Sequence, residues 1–196
     1  MDRFIETIRI RNSVAENLSF HIQRMRDTSS YYGFNLDMTL VNNVFNNSFD
    51  KGIEYKLRII YGKDYFSYSY EKYNRREIRS LKIIEAKDLF YGFKFENREE
   101  INRLFGERGN CDDIIITQNG YFTDTSFSNL VFLSKDNKLF APSTYLLNGT
   151  MRKSLIQSSI IQEKEIRLLL DYKGVYLINA MNSIEDNQFI SINSIQ

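Results

Sequence analysis

The stretch "DDIIITQNGYFTDTSFSNLVF", residues 112–132, organises the second half of this 196-residue chain. Its Asn119-Gly120 dipeptide is a strong hairpin signal, because both central residues of a type I′ turn need a positive φ angle. The apolar residues on either side of the turn predict two antiparallel strands. A second hairpin is predicted in "NLVFLSKDNKLFAP" (129–142), with its turn at Asp136-Asn137. The second half of the chain is therefore expected to be mostly antiparallel β.

Outward from these hairpins, hydrophobic periodicity predicts further strands and helices. The other predicted strands are "FIETIRI" (4–10), "IEYKLRIIYG" (53–62), "EIRSLKII" (77–84), "DLFYGFKF" (88–95), "IIQEKEI" (160–166), "GVYLINAM" (174–181) and "QFISINSI" (188–195). The predicted helices are "NSVAENLSFHIQRMRDTSSYYG" (12–33), "NLDMTLVNNVFNNSF" (35–49), "REEINRLF" (98–105) and "GTMRKSLIQSS" (149–159). The polar, tyrosine-rich "YEKYNRR" (70–76) is the predicted linker. The pattern indicates an α+β chain with a small α/β part and a larger, β-rich part.

Composition excludes several classes of partner. The chain has 26 Lys and Arg against 25 Asp and Glu, a formal charge of +1, which argues against nucleic acid as a partner. The N-terminus "MDRFIETIRIRNS" has no apolar core of signal-peptide length, and no apolar run could span a bilayer. We therefore expect a cytoplasmic protein with no membrane partner.

The usual catalytic and metal motifs are also missing from the sequence. The chain contains one cysteine, Cys111, and one histidine, His21. These exclude a disulfide framework, a cysteine-rich metal site and a multi-histidine metal site, so we expect no metal. The sequence has no G-x-S-x-G elbow, no G-x-G-x-x-G fingerprint and no Walker A loop. Lysine chemistry therefore becomes the leading hypothesis.

One lysine lies in an unusual place. In "GFKFENREEINRLF" (92–105), Lys94 lies between Phe93 and Phe95, just before a predicted helix. A buried ammonium without a partner is costly, so a lysine in apolar surroundings is either a surface residue that extends to water or a reactive one. The residues alone leave both interpretations open.

Five stretches, in one order along the chain, carry a resemblance. They are "NLSFHIQRMRDTSSYYG", "KFENR", "GYFTDTSFSNLVF", "APSTYLLNGTMRKSLI" and "YLINAMNSI". Together they resemble the H-x-x-R, K-x-x-x-R, t-E-t-t-x-x-N, L-x-G-t-x-R and c-N-s-l motifs of the class IV aminotransferases, a family of pyridoxal-phosphate enzymes. The resemblance runs nearly end to end and is closest to the aminodeoxychorismate lyase branch.

This resemblance implies the two-domain α+β fold of the D-amino acid aminotransferase-like enzymes. The small α/β domain would span residues 1–74, with a shortened N-terminus, because relatives begin with a further strand and loop. The larger β-rich domain, residues 75–196, would carry the Schiff-base lysine.

The resemblance also assigns roles around pyridoxal 5′-phosphate. Lys94 would be the Schiff-base lysine and the catalytic acid and base. Asp124, where the family usually has Glu, would face the pyridine nitrogen and keep it protonated. From the residues alone, Asp124 is equally a solvated acid beside a turn.

Phosphate contacts are implied at three further places. Arg24 matches the phosphate-binding arginine, although an exposed helix arginine is the alternative. The backbone N–H groups of Thr150 and Met151 open a predicted helix, where phosphate is favoured, although a plain helix cap is the alternative. Asn179 and Ala180 match a second set of amide donors.

The same resemblance separates three possible functions. Arg98 follows the lyase spacing, whereas Glu99 stands where the branched-chain aminotransferases have tyrosine. The preferred function is a lyase that releases pyruvate and 4-aminobenzoate, for folate synthesis, from the small-molecule amine 4-amino-4-deoxychorismate. The alternatives are an aminotransferase of the branched-chain or D-amino acid type, and an inactive protein that keeps the fold. Members of the family are homodimers, so we expect a homodimer.

Overall fold

The computed structural model describes residues 2–46 and 49–196, and the chain splits into two compact units. Unit 1 comprises Met1–Arg75 and Phe93–Asn97, and unit 2 comprises Arg76–Gly92 and Arg98–Gln196. Both combine helices and sheets, in agreement with the expected α+β class. Within the described ranges, no helix is long and apolar enough to cross a membrane.

Unit 1 is built on a four-stranded antiparallel sheet in the order β2-β1-β3-β4. Its strands are β1 (Phe4–Arg11), β2 (Val14–Ala15), β3 (Glu54–Gly62) and β4 (Tyr65–Lys72). Its helices are α1 (Leu18–Tyr31) and α2 (Met38–Asn43), and α2 is followed by a 3₁₀ turn, Val44–Asn46. The core of unit 1 lies between the sheet and these helices: Phe4, Ile8, Ile10, Met25, Val41, Val44, Leu57, Ile59 and Tyr61.

The segment 93–97 lies in unit 1, whereas the sequence assigned Lys94 to the larger domain with a boundary after residue 74. The physical reason is backbone pairing with the start of the chain. The N–H of Ile5 donates to the Lys94 carbonyl at 2.8 Å, and the N–H of Glu96 donates to the Arg3 carbonyl at 2.8 Å. Residues distant in sequence therefore extend the pairing of β1.

Four local predictions in and around unit 1 differ from the structure. Residues 12–17 precede α1 rather than open it, because Val14 and Ala15 pair with β1. Residues 88–95 form no strand, and only Phe95 makes an isolated bridge, to Phe4. Strand β4 was not predicted, and it includes the first residues of the predicted linker 70–76. The predicted helix 35–49 is confirmed only over α2 and its 3₁₀ turn, and residues 47–48 lie outside the described residues.

Unit 2 contains a sheet in the order β10-β9-β8-β7-β6-β5, with β11 paired to β8 and β12 paired to β11. Its strands are β5 (Leu81–Glu85), β6 (Asp113–Gln118), β7 (Tyr121–Thr125), β8 (Asn129–Ser134), β9 (Leu139–Pro142), β10 (Gln162–Lys164), β11 (Tyr172–Ile178) and β12 (Phe189–Ser191). Its helices are α3 (Glu99–Gly106) and α4 (Thr150–Gln157), and a 3₁₀ turn covers Ile192–Ser194. The β5–β6 and β9–β10 pairs are parallel and the others antiparallel.

Both predicted hairpins are confirmed. Asn119 and Gly120 have φ angles of 53° and 76° between β6 and β7, as a type I′ turn requires. Asn137 has a φ angle of 66° between β8 and β9. The main core of unit 2 lies under these strands: Ile78, Leu81, Ile115, Phe122, Leu130, Phe132, Ile166, Tyr172, Val175, Leu177 and Ile190.

We predict that Gly174→Ala destabilises the protein by roughly 2–4 kcal/mol, because the new methyl group has no space. A Cβ at Gly174 would lie 2.2 Å from the Ile190 carbonyl oxygen and 2.5 Å from the Phe189 ring, between β11 and β12. The matched control is Gly106→Ala at the end of α3, where a Cβ meets nothing within 4 Å. Urea unfolding of both variants measures the difference, and equal stabilities would contradict the prediction.

Candidate active site

A buried carboxylate joins β1 and α1 in unit 1. On β1, alternate side chains lie on the same face, so Glu6 shares the core-facing side of the strand with Phe4 and Ile8. Glu6 is fully buried. His21 and Arg24 lie on the buried stripe of α1. Arg24 donates from Nε to Glu6 Oε1 at 2.8 Å and from Nη2 to Oε2 at 2.6 Å, while His21 Nδ1 lies 2.6 Å from Oε2. One carboxylate therefore holds two side chains of the helix.

The charges in this cluster decide its protonation. Burial alone would raise the pKa of Glu6, but the charge of Arg24 and the hydrogen bonds from Arg24 and His21 lower it to about 2. Burial lowers the pKa of His21, against the hydrogen bond to Glu6 that raises it. Because an ionised carboxylate only accepts, Nδ1 of His21 carries the hydrogen that it shares with Glu6. Glu6 is thus an anion throughout the neutral pH range.

Lys94 belongs to the same unit and is half-buried. Its charge acts on His21, where it contributes to the lowered imidazole pKa. The flanking rings are packed: Phe95 lies 5.3 Å from Phe4, and Phe93 lies 5.1 Å from Tyr32, between ring centroids. The backbone at Lys94 is therefore held on both sides by aromatic contacts and by the hydrogen bond from the Ile5 N–H to the Lys94 carbonyl.

In unit 2, Asp124 on β7 is a buried acid, only 5% exposed, and not a solvated turn residue. Asn129 on β8 donates its side-chain amide to Asp124 Oδ1 at 2.7 Å. The N–H groups of Leu146 and Leu147 donate to Oδ2 at 3.0 and 2.8 Å. A carboxylate has about four acceptor positions, so the three bonds from the described residues leave one on Oδ1 for a further donor.

The surroundings of Asp124 make its charge adjustable. Burial raises the pKa of Asp124 to about 6, against the hydrogen bonds from Leu147, Asn129 and Leu146 and the charge of Arg152. The carboxyl is therefore mostly ionised at pH 7, although it is buried. An ionised carboxylate with one open acceptor position fits a protonated ring nitrogen.

The N-terminus of α4 adjoins Asn129, one of the hydrogen-bond donors to Asp124. Gly149 is the N-cap residue of α4. A Cβ at Gly149 would lie 2.1 Å from Oδ1 of Asn129, so glycine is needed for close approach rather than for a special φ angle. Thr150 and Met151 follow and are buried.

Arg98 and Asn179 both hold the turn that follows β7. Arg98 donates from Nη2 to the Ser126 carbonyl. Asn179 donates its side-chain amide to Ser128 Oγ at 3.0 Å and accepts from the N–H groups of Met181 and Asn182, around Ala180. These residues therefore support the segment between Asp124 and Asn129.

The structure gathers the predicted residues in two groups. Lys94 and Arg24 belong to unit 1 with Glu6 and His21, whereas the others belong to unit 2: Asp124, Arg98, Thr150, Met151, Asn179 and Ala180. Sequence reasoning missed Glu6 and the amides of Leu146 and Leu147. A single acid at an inward position of an apolar strand was the available signal for Glu6, whereas backbone donors leave none.

Comparison with known proteins identifies the family. Residues 3–184 match the family model described as amino-transferase class IV. The chain therefore belongs to the class IV aminotransferase family, as the five motifs had suggested.

Individual relatives agree with this assignment. An uncharacterized protein of Haemophilus influenzae is 33% identical over 189 residues, which cover 91% of this chain and 97% of that protein. A structure from Haemophilus somnus, proposed to be a 4-amino-4-deoxychorismate lyase, is 27% identical with a TM-score of 0.82 and covers 93% of this chain and 98% of that one. A hypothetical aminotransferase of Mycobacterium tuberculosis in its pyridoxal-phosphate-bound form has the same fold, with a TM-score of 0.80, 17% identity and coverage of 100% and 81%.

We predict that Glu6→Gln lowers the stability of unit 1 in a pH-dependent way. Because the folded pKa of Glu6 is about 2 against an ordinary 4.5, its ionisation contributes stability above pH 4.5 that is lost as the pH falls towards 2. The contribution corresponds to about 3 kcal/mol. Urea unfolding of wild type and variant between pH 7 and pH 2 should therefore show a difference that shrinks with acidification.

The control for this experiment is Glu71→Gln, which removes the exposed pair with Lys56 in the same unit. Its effect should be small at every pH, because exposed ion pairs are screened by water. A wild-type to Glu6→Gln difference that does not depend on pH would contradict the prediction.

Proposed function

We propose that this protein is a pyridoxal-phosphate-dependent lyase that converts 4-amino-4-deoxychorismate into pyruvate and 4-aminobenzoate, for folate synthesis. The observation that carries the proposal is Asp124, a buried carboxyl that is mostly ionised at pH 7 and keeps one acceptor position. Such a group suits a protonated pyridine nitrogen. The likeness to the Haemophilus somnus protein and the Lys94–Arg98 spacing support the lyase over other reactions of the family.

The residues present fit the cofactor. Lys94 would hold it through its amine, and Asp124 would accept the hydrogen of the ring nitrogen. Arg24 and the amides of Thr150 and Met151 would bind phosphate, together with the segment at Asn179 and Ala180. When bound, pyridoxal phosphate supplies an electron-withdrawing ring that stabilises negative charge on the substrate carbon next to the amine.

The roles of the protein side chains follow from their surroundings. Arg24 is oriented by two hydrogen bonds to Glu6, so its guanidinium has one defined direction. Lys94, once its amine is released by substrate, would take a proton from the substrate and return it to the product. Asp124 would keep the ring nitrogen protonated through the cycle. Arg98 would support this function indirectly, through the turn after β7.

An amino acid aminotransferase on the same scaffold is the second candidate. It is supported by the fold shared with the hypothetical aminotransferase of Mycobacterium tuberculosis. Under either function we propose a homodimer, from the resemblance to the family, and a cytoplasmic location, from the sequence of the N-terminus. An inactive protein that keeps the fold is the third candidate, and absence of both reactions below would select it.

Lys94 is predicted to be the lysine that binds the cofactor. Borohydride reduction of the protein after incubation with pyridoxal phosphate, followed by peptide mapping, should place the pyridoxyl group on Lys94. Lys94→Arg should abolish the label, while Lys82→Arg, which alters a lysine bonded to the Glu107 carbonyl, should keep it. A label that persists in Lys94→Arg would overturn the assignment.

The lyase is predicted to need no second substrate. Pyruvate should appear from 4-amino-4-deoxychorismate without any added keto acid, because a lyase regenerates its starting form in each cycle. A transaminase requires a keto acid and shows ping-pong kinetics. Rapid conversion of the bound cofactor to its amine form by common L- or D-amino acids, with no pyruvate from aminodeoxychorismate, would select the aminotransferase.

A further inference from the structure

Arg152 is a buried cation whose contacts have not been described so far. It lies on α4 and is 2% exposed. Its Nη1 donates to Asn148 Oδ1 at 3.0 Å, its Nη2 donates to the Pro142 carbonyl at 3.1 Å, and its guanidinium lies 4.0 Å from the Tyr145 ring centroid. Burying an arginine is costly unless hydrogen bonds and opposite charge compensate it. The contacts of Arg152 therefore indicate which part of the chain it holds in place.

All three of these contacts belong to one segment, residues 142–148. This segment has no helix or strand beyond the end of β9 at Pro142. Its path is held by one backbone bond, from the Ser143 N–H to the Lys164 carbonyl, and by side-chain contacts. The same segment supplies the N–H groups of Leu146 and Leu147 that bind Asp124. Arg152 therefore contacts both ends of the segment whose amides at Leu146 and Leu147 bind the acid.

Charge connects Arg152 to Asp124 as well. The groups that act on Asp124 are Asn129 from β8 and the amides of Leu146 and Leu147, which bind it directly, and Arg152 from α4, whose charge lowers the pKa of the acid. Arg152 in turn pairs with Glu163 on β10, which is half exposed. Arg152 is thus a charged side chain that acts on the Asp124 carboxyl, with an effect smaller than that of the three hydrogen bonds.

We propose that Arg152 is a positioning residue: it fixes the 142–148 loop against Asp124 and contributes positive charge that favours the ionised form of the Asp124 carboxyl. The importance of this arrangement for catalysis rests on the proposed function, in which Asp124 faces the cofactor nitrogen. The arrangement itself is a property of the protein without cofactor, and it is tested there.

The test is a carboxyl-carbon NMR titration of the cofactor-free protein with ¹³C-labelled aspartate. The signal of Asp124 is identified by its loss in Asp124→Asn. The wild-type midpoint should lie near 6. Arg152→Met should raise the midpoint by about one pH unit, and Arg152→Lys, which keeps the charge but not the fork, should stay closer to wild type.

Glu163→Gln separates charge from packing. It removes the counter-charge of Arg152 while leaving Arg152 in place, so the midpoint of Asp124 should fall, opposite to Arg152→Met. A loop loosened by either substitution would not produce shifts of opposite sign. If Arg152→Met does not fold, Arg152→Lys and Glu163→Gln carry the test. An unchanged midpoint in Arg152→Met, or a rise in Glu163→Gln, would overturn the proposal.

A second measurement links the inference to the cofactor. With a midpoint one unit higher, the affinity of Arg152→Met for pyridoxal phosphate should fall about fivefold at pH 6 and hardly at pH 8, because only the ionised acid binds the protonated nitrogen. A loss that is equal at both pH values would indicate a structural role and count against the charge role. If wild type binds no pyridoxal phosphate, the proposed function fails, while the titration still decides the role of Arg152.

Discussion

The cost of burying a carboxylate is the constraint on which both groups of candidate residues depend. Glu6 and Asp124 are each at least nine-tenths buried, and each lies on a strand that packs against the core of its unit. An ionised acid in such a place needs hydrogen-bond donors and compensating charge. The helix α1 and the loop 142–148 lie where they can supply these, so the local architecture of each unit is tied to one acid.

The negative charges of the two acids are compensated differently, and as a result the two acids differ in pKa. Glu6 is bonded directly to the charged Arg24 and to His21, and its pKa falls to about 2. Asp124 receives its hydrogen bonds from neutral amides, and the charge of Arg152 acts on it without a direct hydrogen bond. Burial outweighs these effects, and the pKa of Asp124 rises to about 6. Glu6 is therefore a permanent anion that orients Arg24. Asp124 changes charge near neutral pH and responds to its neighbours.

The sequence predicted those elements whose cause is local. The Asn119-Gly120 turn needs only two residues with positive φ angles, and the hairpin follows. The predicted strand 88–95 was wrong because its apolar residues serve as side-chain contacts: Phe93 and Phe95 pack on Tyr32 and Phe4, which are distant in the chain. The predicted start of α1 was wrong because the pairing of Val14 and Ala15 with β1 overrides helical spacing.

The candidate site shows the same division between local and distant causes. The sequence could nominate Lys94, Arg24 and Asp124 as candidates, because their side chains lie in recognisable motifs. The donors to Asp124 were not predictable, because the backbone amides of Leu146 and Leu147 could belong to any residue. Arg152 was visible only as part of a motif, and its role depends on three contacts with a loop that has no periodic pattern.

The aspartate at position 124, where the family usually has glutamate, has a physical consequence. Its shorter side chain keeps the carboxylate close to β7, so its donors must approach the strand closely. Asn129 does so from the adjacent strand, and its amide oxygen leaves no room for a Cβ at Gly149. One added methylene at position 124 would drive the carboxylate against the amides of Leu146 and Leu147, which are already within 3.0 Å. Asp124, Gly149 and the 142–148 loop are therefore sterically coupled. The length of the acidic side chain and the position of the loop determine each other.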